Sequence, residues 1–234
     1  MQKNISELER IISYTFKDPN LIKESLTHRS YLNEDPKWPV SHNERLEFLG
    51  DAVVELIVTE ELFFRFPDYT EGQLTPIRSA LVNYQMMASI SREISLEQFL
   101  FLSKGESKDI GRAREVILAN TLESLIGAIY LDGGYQTAKS FILKFILSKL
   151  DEVMKKGLYK DTKSLLQEIV QEKFKLTPTY KVLAESGLDH QKTFTIGVFF
   201  GDKLIAEGVG YSKQEAEVEA AKLALDSMQS GNVE

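Results

Sequence analysis

Three carboxylates recur at helical spacing in the run 42–54, HNERLEFLGDAVV. Glu44, Glu47 and Asp51 stand at positions i, i+3 and i+7, so a helix over this run would place all three on one face. Like charges at this spacing repel and destabilise a helix by a few tenths of a kcal/mol per pair. The pattern predicts either a solvated face, on which Arg45 neutralises one carboxylate, or a site that holds a cation.

A second pair of oxygen donors follows later in the chain. Asn120 and Glu123 stand at i and i+3 in an otherwise apolar stretch that runs on to Ile129. A carboxylate on such a helix needs a partner or a metal, and helical proteins build metal sites from facing helices. The chain has no Cys and 3 His, so oxygen ligands indicate Mg²⁺, with Mn²⁺ as a substitute, rather than zinc.

The elements that must position these residues change in character along the chain. Apolar residues at intervals of three and four predict an all-helical domain over residues 1–150. Beyond a linker at residues 151–160, the pattern predicts a small α+β domain of order α-β-β-β-α over residues 161–228. Ser212 is predicted to cap the last helix, and residues 229–234 are predicted to fray.

Composition limits the class of protein. A hydrophobic fraction of 43% and a charged fraction of 27% indicate a soluble globular protein, and zero Cys excludes disulfides and cysteine nucleophiles. No apolar run approaches the roughly 20 residues that cross a bilayer, and the first ten residues lack a secretory pattern. We expect a cytoplasmic protein without a membrane partner. The net charge of -7 argues against a nucleic-acid partner unless specific residues support one.

The run 43–53, NERLEFLGDAV, resembles the signature of the ribonuclease III family. Four further blocks resemble that family in the same order: residues 26–31, 72–78, 104–106 and 115–132. The second domain resembles a double-stranded-RNA-binding domain, and the likeness covers about residues 5–228. It implies an all-α endonuclease domain followed by a small α+β RNA-binding domain. It also implies a metal-dependent enzyme that cleaves double-stranded RNA, leaves 5′-phosphate and 3′-hydroxyl ends, and processes rRNA precursors and other structured transcripts.

The resemblance also implies roles for the acidic residues. Glu47, Asp51 and Glu123 match the family's metal-binding acids, with Asp51 and Glu123 the catalytic pair, and Glu44 matches another acid of the cluster. Asn120 stands where the family usually has Asp, and its neutral oxygen can still coordinate Mg²⁺. We therefore expect an active enzyme with a raised Mg²⁺ requirement. The alternative is a regulator that binds double-stranded RNA without cleaving it.

In the second domain the resemblance implies three RNA-contacting surfaces. The solvent face of its first helix carries Ser164, Gln167 and Gln171, with Glu168 beside them. The loop after the first strand supplies His190 and Lys192, and the start of the last helix supplies Ser212, Lys213 and Gln214. Residues 161–228 contain 8 Lys, no Arg and 11 acidic residues, so we expect modest affinity and a weak salt dependence.

The signature run is also unusually apolar for a helix with one buried face, since it carries Leu46, Phe48, Leu49, Val53 and Val54. Such a helix is either buried within one subunit or covered by a second. The resemblance implies a symmetric homodimer formed through this region, with two active sites across the duplex. DNA is not an expected partner, because it lacks the 2′-hydroxyl groups by which proteins recognise RNA.

Overall fold

The computed structural model describes residues 3–108, 111–157, 159, 162–186 and 192–229. The chain divides into two compact units, Met1–Tyr159 and Lys160–Glu234. The described part of the first unit contains helices α1 (Ile5–Ile12), α2 (Pro19–Ser25), α3 (Arg29–Glu34), α4 (Glu44–Arg65), α5 (Glu71–Val82), α6 (Tyr84–Glu93), α7 (Arg112–Phe145) and α8 (Leu150–Lys156). The second contains α9 (Thr162–Phe174), β1 (Thr179–Ser186), β2 (Thr193–Phe200), β3 (Lys203–Gly210) and α10 (Lys213–Gln229). The predicted fold class is confirmed in both units.

Helix α7 is the central element of the first unit and packs against α2, α4 and α6. Many of its apolar residues, including Leu122, Leu125 and Ile126, have no exposed surface. In the described part of the chain, one helical stretch, Arg112–Lys156, is long and apolar enough to cross a membrane, and 56% of its apolar window is buried inside the protein. Burial in the core accounts for this composition, because a core helix is apolar on several sides.

Helices α4 and α7 approach so closely that only glycine fits where they cross. A Cβ atom added to Gly50 would overlap the carbonyl oxygen of Glu123, and one added to Gly127 would overlap the carbonyl oxygen of Leu46. The two backbones are therefore in direct contact. Because side chains one turn away from such a crossing lie near the facing helix, this contact sets the positions of the predicted acidic residues.

The structure differs from the predicted linker at residues 151–160. Helix α8 occupies Leu150–Lys156, and Val153 is buried in the core of the first unit. The helix ends at Gly157, which has a φ of 62° and so adopts the left-handed conformation that favours glycine at a helix end. The charged residues that suggested a linker lie on the solvent face of a short helix, and its apolar face packs on the domain.

The second unit is a three-stranded antiparallel sheet of order β1-β2-β3, covered by α9 and α10. Val198 on β2 packs against Leu166 and Val170 on α9 and Ala220 on α10, and all four are fully buried. A two-residue turn connects β2 and β3, and its first residue, Gly201, has a positive φ. Strand β1 is an edge strand with a bulge between Val182 and Ala184, which interrupts its regular pairing with β2 there.

We expect Gly127→Ala to destabilise the first unit, because its methyl group cannot fit between two backbones that touch. Overpacking of this kind costs about 1–3 kcal/mol, which corresponds to a fall of roughly 2–12 °C in the unfolding midpoint of a domain of this size. Differential scanning calorimetry of the full chain measures this shift. Gly72→Ala on α5 is the control, because a Cβ there meets nothing within 4 Å. Equal midpoints for Gly127→Ala and the parent chain would refute the tight crossing.

Candidate active site

The acidic residues of α4 lie along the side of the helix that meets α7, and they differ in exposure. Glu44 and Asp51 are exposed, whereas Glu47 is partly buried. Arg29 is the cation that contacts Glu44, with 3.5 Å between its Nη1 and Oε1 of Glu44. The sequence suggested Arg45 as a neighbour of one of these carboxylates, because spacing along the chain gives no sign that α3 comes near the start of α4.

Glu123 on α7 carries the strongest electrostatic perturbation among these acids. Partial burial, together with the nearby carboxylates of Asp51, Glu47 and Glu55, raises the pKa of Glu123 to about 8. Both effects disfavour the charged form of a carboxyl group. Acids on two helices therefore act on one another electrostatically near the Gly50–Gly127 crossing. Glu55 was missed, although it lies one turn beyond Asp51 on α4.

Asn120 lies beside Glu47 and acts on it directly. Burial and the charge of Glu44 raise the pKa of Glu47, while a hydrogen bond with the Asn120 side chain opposes that rise. The amide nitrogen donates and the carboxylate accepts, because an ionised carboxylate has no proton to donate. An Asp at position 120 would add a further negative charge here. Asn at position 120, where the family usually has Asp, therefore avoids this like-charge repulsion and favours the charged form of Glu47.

The donor set fits a hard divalent cation, because it consists of carboxylate oxygens and one amide oxygen. Among the described residues, no three Asp, Glu or His side chains form a ready-made metal site. The acids are nevertheless close enough to act on one another electrostatically. Their mutual repulsion is what a divalent cation would remove, by drawing the side chains together. Glu47 connects the set, since it interacts with both Asn120 and Glu123.

A cleft of about 450 Å³ opens beside these residues. Glu44, Glu47 and Asn120 line it together with His28, Arg29, Asn43, Glu106, Ala113, Val116 and Ile117. The ring nitrogen Nδ1 of His28 accepts a hydrogen bond from the backbone N–H of Ser30 and so caps α3. Burial lowers the pKa of His28, which keeps the ring neutral in that structural role. Glu106 is an acid of the cleft that spacing along the chain could not assign.

The side of α4 next to the acidic residues is apolar and exposed. Phe48, Leu56 and Phe63 are 82%, 58% and 64% exposed, and they recur at intervals that place them on one stripe of the helix. The opposite side of α4 is buried within the unit through residues such as Val54 and Ile57. The unusual apolar character noted in the sequence therefore divides between a core face and an exposed stripe, which we call the α4 stripe (Phe48, Leu56 and Phe63).

Two of the three predicted RNA-contacting surfaces adjoin each other in the second unit. Ser164 and Gln167 on α9 line one cavity of about 450 Å³ together with Gln214 at the start of α10. Glu168 and Gln171 lie on the exposed side of α9. Ser212 caps α10, since its hydroxyl accepts the backbone N–H of Glu215 at 3.1 Å. The capping predicted from the sequence is confirmed.

The third predicted surface is described only in part. His190 lies outside the described residues, whereas Lys192 directly follows that gap. The Nζ atom of Lys192 lies 2.6 Å from Oε2 of Glu185, and the Nζ atom of Lys213 lies 3.6 Å from Oε1 of the same residue. One acid therefore contacts a predicted RNA-binding lysine from each of two surfaces. Nothing in the sequence pattern pointed to Glu185.

Family comparisons agree with this arrangement of a helical unit with facing acids and an α-β-β-β-α unit. The ribonuclease-III-like family profile matches residues 18–150. The double-stranded RNA binding motif matches residues 162–228. Together they define a nuclease-type domain joined to an RNA-binding module.

Individual relatives extend the likeness to nearly the whole chain. It is 45% identical over 225 residues to ribonuclease 3 of Carboxydothermus hydrogenoformans, with 96% of both chains covered. It is 44% identical to ribonuclease 3 of Campylobacter fetus, covering 96% of this chain and 98% of the relative. A solved nuclease domain of ribonuclease III from Campylobacter jejuni is 41% identical, with a TM-score of 0.57, and covers 62% of this chain and 97% of that one. This chain belongs to the ribonuclease III family.

Proposed function

We propose that this protein is an endoribonuclease that cleaves double-stranded RNA by metal-assisted hydrolysis of phosphodiester bonds. The observation that carries the proposal is the meeting of acids from α4 and α7 at one site, in a chain that also has a double-stranded RNA binding motif. The products carry 5′-phosphate and 3′-hydroxyl ends. Its substrates are rRNA precursors and other structured transcripts in the cytoplasm.

The chain's own residues supply a binding site for Mg²⁺ or Mn²⁺. Glu47, Asp51, Asn120 and Glu123 are the residues that would hold the ion. A bound divalent ion of this kind activates water for attack on phosphorus and stabilises charge on the phosphate. Asp51 is exposed, so an ion that it held would be accessible to a phosphate, whereas Glu123 is partly buried beside the helix crossing.

Other residues keep this arrangement in place. Arg29 contacts Glu44 at the rim of the cleft and limits the repulsion between Glu44 and Glu47. The Asn120 amide opposes the rise in the pKa of Glu47 and so favours the charged carboxylate that would hold a cation. Because Asn120 keeps its oxygen as a potential ligand, its presence does not require the alternative of a non-cleaving RNA-binding regulator, and no observation favours that alternative.

Cleavage of a long RNA duplex tests the proposal directly. We expect the purified protein to cut the duplex when Mg²⁺ is present, to stop when a chelator is added, and to leave a DNA duplex of the same sequence intact. Glu123→Gln should reduce cleavage by at least about a hundredfold, because even residues that only support metal ligands contribute 10–100-fold. The same variant should still bind the duplex. Binding without cleavage by the parent chain at every Mg²⁺ concentration would favour the regulator instead.

We expect Asn120→Asp to lower the Mg²⁺ concentration for half-maximal cleavage by about three- to tenfold, because the charge of the ligands sets divalent-ion affinity. The measurement is an Mg²⁺ titration of the initial cleavage rate. Asn33→Asp is the matched control, since it makes the same change at an exposed position on α3. Coinciding titration curves for Asn120→Asp and the parent chain would contradict the role assigned to Asn120.

The functional unit that we propose is a homodimer formed through the α4 stripe. Large apolar side chains that cluster on a surface are typical of an interface rather than of a monomer. The solved Campylobacter jejuni nuclease domain is described as having a region involved in dimer formation. The stripe lies beside the acids of α4, so a twofold interface there would bring two active sites close together.

Replacing Phe48 with Ala should weaken the dimer. Burial of a Phe side chain contributes about 1.5–3 kcal/mol. A twofold interface loses this contribution once from each protomer. The dissociation constant should therefore rise at least about a hundredfold. Sedimentation equilibrium measures it. Val209→Ala in the second unit is the control, because Val209 is 59% exposed but lies on β3. An unchanged dimer would exclude this face as the interface.

A further inference from the structure

Glu185 is the centre of a small charged cluster at one end of the sheet. Its two carboxylate oxygens contact two different lysines, with Oε2 at 2.6 Å from Lys192 and Oε1 at 3.6 Å from Lys213. Both ammonium groups also lie over one aromatic ring, at 5.5 Å and 5.7 Å from the centroid of Phe194. Glu185 and Phe194 are direct cross-strand partners on β1 and β2. The cluster is thus held by sheet pairing and is not a chance meeting of surface side chains.

The two lysines belong to different elements of the second unit. Lys192 immediately precedes β2, and Lys213 is the first residue of α10. Both remain partly exposed, with 41% and 58% of their side chains accessible, so a phosphate group can reach them. Strand pairing and the sheet contact of α10 bring them to the same carboxylate. The unit is poor in cations, which makes two neighbouring ammonium groups a large share of its positive charge.

We propose that Glu185 limits the affinity of this protein for double-stranded RNA by competing with backbone phosphates for Lys192 and Lys213. This inference rests on the proposed RNA-binding function of the second domain. With Glu185 ionised, the cluster carries a net charge of +1 instead of +2. A phosphate that binds either lysine must displace the carboxylate or tolerate it as a near neighbour of the same charge.

The opposite role, in which Glu185 merely holds the lysines in place for RNA, predicts the opposite sign. Removing a positioning carboxylate would free two flexible side chains and weaken binding. Removing a competing carboxylate would instead strengthen binding and raise the number of counterions released. The phosphate contacts of a protein determine how steeply its affinity falls with salt, at about 0.9 per neutralised phosphate. Affinity and salt slope therefore separate the two roles.

The test uses the full chain and an RNA duplex of at least about 20 base pairs, which exceeds the 16 base pairs that one such domain covers. Binding is measured by fluorescence anisotropy in a chelator, so that cleavage plays no part. We expect Glu185→Gln to bind about three- to tenfold more tightly at low salt, since exposed ion pairs are individually weak. The slope of log affinity against log salt should steepen by up to about one.

Two controls assign the effect to the cluster. Glu207→Gln makes the same charge change on β3, where Glu207 is exposed and pairs with Gly197 on the middle strand, and it should give no comparable gain. In a chain that already carries Lys192→Gln and Lys213→Gln, adding Glu185→Gln should give no gain, because no lysine remains to release. Thermal unfolding should show that Glu185→Gln is as stable as its parent chain, because Glu185 is exposed.

The outcomes are distinct. Tighter binding that depends on the two lysines supports the competition. Equal or weaker binding by Glu185→Gln, an equal gain in Glu207→Gln, or a gain that persists without the lysines overturns it. If the parent chain binds no RNA duplex at all, the proposed function fails and this inference fails with it. If the parent chain binds and Glu185→Gln matches it, only the inference fails.

Discussion

The contact between the backbones of α4 and α7 at Gly50 and Gly127 is the constraint on which the candidate active site depends. Two helices whose axes are separated by side chains lie 8–10 Å apart, whereas here a carbonyl oxygen of each helix occupies the place of a Cβ on the other. This closeness brings Glu123 into the electrostatic range of Asp51 and Glu47. The electrostatic repulsion between these carboxylates is therefore opposed by core packing, which fixes both helices along their length.

The same helix supplies three functions through its different sides. Residues such as Val54 and Ile57 anchor α4 in the core, the acids face α7, and the α4 stripe faces solvent. A rigid helix couples these sides, because none can rotate without the others. Any partner that covers the stripe therefore lies at a fixed distance from the acids. If the proposed dimer forms through the α4 stripe, its geometry would connect assembly to the candidate active site.

The sequence predicted those features that depend on local spacing. Helical spacing indicates the acid face of α4 and the pair of donors on α7, and residue type indicates the capping by Ser212. Contacts between residues far apart in the chain were not predictable in this way. Arg29 meets Glu44, and Glu185 meets Lys213, only because tertiary packing brings them together. Spacing also gave no indication of helix α8 within the predicted linker, since the burial of Val153 depends on the rest of the core.

The acids of the second unit outnumber its lysines and pair with several of them. Lys163 on α9 contacts Glu217 on α10 at 2.6 Å, so a third lysine is also paired within the fold. Exposed ion pairs contribute little to the free energy of unfolding, so the fold depends little on these acids. Their larger effect is on the electrostatic attraction for a polyanion, which depends on net charge. The cavity between α9 and the start of α10 is lined by uncharged side chains such as those of Gln167 and Gln214. If the domain binds RNA as proposed, these side chains would favour recognition of the duplex by its shape over attraction to phosphate alone.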